Sequence, residues 1–157
     1  MKKGLLIDTN LLLVMIIGSL EGGRYIKKSK RLDKFCVEDY HLLWQIVKNY
    51  SDDYSDIWIT PYIAAEVSNL IDLHGQARTD VLEIAREIFS LLKQAETLIA
   101  EDCKGNFFLE FGLTDNSIIR LSEKFDIITN DHRMATPLFT ISPERIMPYV
   151  PFKELNS

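Results

Sequence analysis

Short apolar runs that end at turn-prone or capping residues constrain this chain most: GLLID at 4–8, IWIT at 57–60 and DIIT at 126–129. Each is too short for a helix core and suits a strand buried on both faces. Helical spacing fills the intervals. A helix from Leu11 follows the first run, and Tyr40, Leu43, Ile46, Val47 and Tyr50 recur at three- and four-residue steps. Val81, Ile84, Ala85, Ile88, Phe89 and Leu92 do the same. Pro61 suits the first position of a helix running to about His74, with Gly75 as its stop, and Thr114 can cap a helix through Lys124. RIMPYV at 145–150 predicts a last strand, and Thr97 to Ala100 a weaker extended segment. Strands alternating with helices imply an α/β fold with a mainly parallel central sheet flanked by helices. With no repeat, low-complexity tract or linker, a single domain over residues 1–157 is expected.

Composition supports this expectation. A chain of 157 residues that is 46% hydrophobic hides roughly 68–70% of its unfolded surface and needs no staples. Cys36 and Cys103 have no close cysteine partner and no CxxC, so neither a disulfide framework nor a zinc ribbon is indicated, and a reducing, cytoplasmic setting is expected. The basic, apolar start is broken by Asp8 and Asn10 and shows no A-x-A site, so it reads as folded protein rather than a leader. Leu11 to Gly18 falls short of the ~20 apolar residues of a membrane span. A net charge of -5 argues against coating nucleic acid by bulk attraction. Charge is nevertheless uneven: Arg24, Lys27, Lys28, Lys30, Arg31 and Lys34 crowd one stretch, which suits either a phosphate backbone or a solvated loop.

Four acids stand out against this pattern: Asp8, Glu66, Asp115 and Asp131. Open α/β sheets collect ligands outside the carboxyl ends of their strands. Asp8 closes the first strand and Asp131 lies two residues past Thr129, so both are expected at one crevice. On a helical wheel Asp115 falls between Ile118 and Ile119, and Glu66 borders the arc of Ile63, Val67 and Leu70, so neither is expected to face open water. Singly, each has a structural account as a helix cap, a dipole partner or a snorkelling side chain. Together they would repel and take up protons unless a cation neutralised them, and oxygen ligands with few histidines select Mg²⁺ or Mn²⁺ over zinc.

The strings LLIDTNLLL, PYIAAEVSNL and GLTDNSIIRLSEKFDIITNDHRMA, in this order, resemble the PIN-domain nucleases over roughly residues 4 to 155. A lone DTN carries little, and the spacing of the last motifs is the specific part. The resemblance implies a metal-binding set of Asp8, Glu66, Asp115 and Asp131, with Asn10 and Thr129 as hydrogen-bonding supports. It implies a Mg²⁺- or Mn²⁺-dependent endoribonuclease, and a toxin held by a cognate antitoxin, or a homodimer, as further family features. The basic stretch and the long helical region from Leu42 to Leu92 exceed the compact toxins, and the acidity differs from the often basic RNA-cleaving members.

For such hydrolysis the acids would hold the metal, and Lys27, Lys28, Lys30 and Arg31 would meet RNA phosphates. His132 reads as an exposed turn residue, Trp44 and Trp58 as core, Glu101 and Asp102 as a solvated loop, and Asp126 as lying at the wrong end of its strand to bind a ligand. Two other classes compete. A catalytically silent PIN-like module binding protein or RNA is one. A phosphohydrolase on another α/β scaffold is weaker, because DTN lacks the second Asp of a DxD signature and no glycine-rich phosphate loop occurs. No HExxH or paired histidine motif supports a zinc hydrolase.

Overall fold

The computed structural model describes residues 3–155. The first strand, β1 (Leu5–Ile7), is buried along its length, and α1 (Thr9–Gly18) follows with only Asp8 between them. That helix begins ahead of the expected Leu11, because Asp8 is its N-cap and accepts the Thr9 N–H at 2.7 Å. Leu11 to Ile17 are all buried, and a helix apolar all round must be packed all round. It packs against α2 (Val37–Tyr50), α3 (Pro61–Leu70) and α4 (Gly75–Leu91). The apolar surface of this helix is thus hidden within the chain itself. Gly18 makes the α2 approach feasible, since a Cβ there would come within 2.3 Å of Tyr40 Cδ1.

Between α2 and α3 runs β2 (Ile57–Ile59), and Thr60 then caps α3, its Oγ1 accepting the Ile63 N–H at 3.1 Å with Pro61 next in chain. This helix stops at Leu70, short of the expected His74, and Gly75 opens α4 instead of ending α3. Residues 71–74 are non-helical because Ile71 and Leu73 both bury while Asp72 between them turns to a neighbouring segment. Asp72 accepts the Ser29 hydroxyl at 2.7 Å and the Arg31 N–H at 3.3 Å.

The next strand, β3 (Lys93–Gln94), is exposed and lies ahead of the predicted extended segment. Ile99 and Ala100 of that segment belong instead to the short helix α5 (Ile99–Asp102), and an unforeseen α6 (Asn106–Phe111) follows. Gly112, with φ +86°, separates α6 from α7 (Leu113–Leu121). The expected Thr114 cap is therefore inside the helix, and α7 ends before Lys124, where Ser122 N–H closes onto the Ile118 and Ile119 carbonyls. DIIT forms β4 (Asp126–Thr129) as expected, followed by α8 (Ala135–Ile141), β5 (Ile146–Pro148) within the predicted 145–150, and α9 (Phe152–Leu155).

All strands are parallel in the order β3-β2-β1-β4-β5, with Leu5 beside both Ile57 and Asp126, and Ile7 beside Ile128. This is the α/β fold read from the sequence. The chain moves outward from β1 through β2 and β3, then returns to the other side of β1 for β4 and β5. Strand order reverses between β1 and β4, and at such a switch point the carboxyl ends of neighbouring strands open onto one crevice. Among the described residues no helix is long and apolar enough to cross a membrane.

Candidate functional site

The crevice at the β1 and β4 ends is built around Asp8. Its backbone N–H donates to the Ile128 carbonyl at 3.1 Å, which ties the end of one strand to the other. One carboxylate oxygen accepts the Thr9 N–H and the other accepts the Thr129 hydroxyl. Thr129 Oγ1 in turn accepts the Asp131 N–H at 3.0 Å, so one threonine orients two acids. Of the two acids, only Asp8 has its carboxylate held by Thr129; Asp131 is held through its backbone N–H. Asn10, the other expected support, makes no such bond: it lines the pocket with its Oδ1 buried and without a hydrogen-bond partner among the described residues.

The acids arrive from separate elements. Asp8 comes from the β1 end, Glu66 from α3, Asp115 from the first turn of α7, and Asp131 from the turn after β4. All four line a cavity of about 230 Å³, together with Thr9, Asn10, Arg31, Leu70 and Arg133. Asp115 is half-buried, but Glu66 is exposed, contrary to the expectation that both helix acids avoid water. Glu66 Oε2 accepts the Thr9 hydroxyl at 3.4 Å, so it stands at the rim.

Electrostatics join these groups into one unit. Burial pushes the Asp115 carboxyl up to about 7, and the charges of Asp8, Asp131 and Glu66 push the same way. Burial also raises Asp8 above its ordinary value, although hydrogen bonds from Thr129 and Thr9 oppose it. Asp131 moves the other way, because Arg133 donates to it. Crowded, partly desolvated carboxylates of this kind store repulsion that any cation entering the pocket relieves.

Arg133 is the residue that sequence reading missed. Its Nη2 lies 2.6 Å from Asp131 Oδ2 and 3.8 Å from Asp115 Oδ2. The signal available was its place two residues after Asp131 in a turn that Asp131 caps, its Oδ1 accepting the Arg133 N–H at 3.0 Å. Among the described residues no three His, Cys, Asp or Glu side chains form a ready-made metal-ligand group. The donor set fits a hard cation in its chemistry: carboxylates, a spare buried amide oxygen and hydroxyls.

The basic stretch divides. Arg31 reaches the acidic cavity, Lys28 and Lys30 line a neighbouring cleft of about 440 Å³ with Tyr25, Asp72 and His74, and Lys27 lines another with Cys36 and Lys153. The structure therefore brings Arg31 to the acids and leaves Lys27 apart from them. A larger cleft of about 500 Å³, beside Trp58, Glu96 and Arg120, contains none of the four acids. Asp102, expected in a solvated loop, is instead fully buried against Arg120 and Tyr62, while Glu101 pairs with Lys104 at the surface. His132 is an exposed turn residue as read, and Asp126 sits at the far end of β4, where it accepts the Tyr50 hydroxyl at 2.7 Å. Trp44 and Trp58 pack against the core. Comparison with family models, curated proteins and solved structures finds no match to this chain.

Proposed function

We propose that the chain is a divalent-metal-dependent nuclease acting on RNA. The observation that carries this is the gathering of Asp8, Glu66, Asp115 and Asp131 into one cavity at the sheet's switch point. Asp8, Asp115 and Asp131 would hold Mg²⁺ or Mn²⁺, with Glu66 at the rim. A bound ion of this kind supplies Lewis acidity toward a phosphodiester and lowers the pKa of water. The chain's own residues do the positioning. Thr129 fixes the Asp8 carboxylate and the Asp131 backbone, and the Asp72 bonds to Ser29 and Arg31 orient the basic turn so that Arg31 meets the pocket. Lys28 and Lys30, on the adjoining cleft, offer positive charge to the phosphates that flank a scissile bond. An endoribonuclease toxin with a cognate antitoxin and a homodimer are narrower readings that rest on the resemblance to PIN-domain nucleases, and a cytoplasmic location rests on the cysteine usage.

A second reading is favoured by a specific observation: Arg133 already engages Asp131 and stands near Asp115, as a permanently neutralised, catalytically silent binding module would have it. Incubation of purified protein with RNA separates the two. The nuclease reading expects cleavage in Mn²⁺ or Mg²⁺, its loss in EDTA, and loss of at least about a hundredfold in Asp8→Asn and Asp115→Asn. RNA that stays intact with the wild-type chain in both metals supports the silent module. Cleavage that persists in both variants contradicts the assignment of these ligands.

A further inference from the structure

Arg133 contributes a bidentate fork to Asp131, with Nε 3.0 Å from Oδ1 and Nη2 2.6 Å from Oδ2. The same Nη2 stands 3.8 Å from Asp115 Oδ2, and the guanidinium carbon lies 5.8 Å from the centre of the Phe111 ring. One cation thus spans acids from two separate elements, while an aromatic face from α6 backs it. Its side chain is nonetheless 69% exposed. Exposed ion pairs are weak and exchange readily, so this grip is one that a stronger cation can break.

We propose that Arg133 is a resident counter-cation: it neutralises the acidic pocket in the metal-free chain, and a divalent ion must displace it from Asp131 and Asp115 to bind. Arg133 then acts as a positioning residue that sets metal affinity rather than as a ligand. This rests on the metal-dependent reading above and adds regulation of the same site. Asn10 Oδ1, buried without a hydrogen-bond partner among the described residues, lines the same cavity.

Two opposed consequences follow from displacement. Removing the guanidinium takes away a competitor for the carboxylates, so metal binds more tightly. It also takes away the only charge compensation that Asp131 receives at hydrogen-bond distance among the described residues, so the metal-free chain becomes less stable. A merely structural arginine would give the second effect without the first.

Titration calorimetry of Mn²⁺ alone into the full chain at low ionic strength tests this. Arg133→Gln is expected to bind Mn²⁺ about threefold or more tightly than wild type, with a lower metal-free melting temperature. Arg133→Lys should fall between, and the gap should narrow as salt rises. Asp8→Asn serves as the reference that weakens metal binding in either background. Equal or weaker Mn²⁺ binding by Arg133→Gln, with wild-type binding that still depends on Asp8, overturns the counter-cation and leaves the nuclease reading standing. No Mn²⁺ binding by either protein overturns both.

Discussion

Asp39 and Asp102 are even more deeply buried than Asp8, yet Asp8 meets other acids as well as donors. Asp39 accepts the Cys36 N–H at 2.8 Å, the Tyr149 hydroxyl at 2.6 Å and the Phe152 N–H at 3.0 Å, which binds the start of α2 to the end of the chain. Asp102 meets the Arg120 Nε at 2.6 Å and the Tyr62 hydroxyl at 2.8 Å, which ties α5 to α7 and α3. At the switch point, by contrast, Asp8, Asp115, Asp131 and Glu66 face one another. A buried acid matched by donors serves the fold. Acids crowded against acids weaken it where burial and like charge raise their carboxyls, as at Asp8 and Asp115.

The largest expected effect lies on the structural side of this contrast. Arg120→Ala leaves Asp102 buried without its cation and should destabilise the chain by about 3 kcal/mol, read by chemical denaturation. A loss near zero would erase the distinction between the two groups of acids. At the pocket the sign reverses. Asp115 has its carboxyl at about 7 in the fold against 3.8 as its ordinary value, so the folded chain holds a proton that the unfolded chain releases between those values. Metal-free stability should therefore fall as pH rises from about 4 to about 7, with Asp8 contributing in the same direction and Asp131 in the opposite one. Asp115→Asn should accordingly stabilise the metal-free chain by about 1–3 kcal/mol at pH 8 and hardly at all at pH 4. Destabilisation at pH 8 would place Asp115 with Asp39 and Asp102 as an acid that serves the fold.

Much of this contrast is legible in the residues themselves. IWI and DIIT carry continuous apolar runs, so their strands and the crevice beyond Thr129 follow from the pattern. Lys93–Gln94 carries no such run: β3 is an exposed edge held by its pairing with β2, and local sequence has no way to announce it. The α3–α4 break is more legible: Ile71 and Leu73 at i,i+2 share a face only in an extended link, and the Asp72 bonds to the basic turn hold it there. Glu101 and Asp102 look alike in ETLIAED, yet only the partner Arg120, far along the chain, buries one and leaves the other at the surface. Asp8 and Asp131 were readable from their places at strand ends, whereas Arg133 needed coordinates, because a capping turn predicts its backbone bond and not the direction of its guanidinium.

If the pocket acids form one electrostatic unit, a dication should relieve their repulsion and stabilise the fold. Thermal unfolding of the wild-type chain and of the Asp8→Asn/Asp115→Asn double variant, each with and without saturating Mn²⁺, tests it most directly. Wild type should rise by about 5 °C or more and the double variant not at all. An equal rise in both, or no rise in wild type, would contradict it.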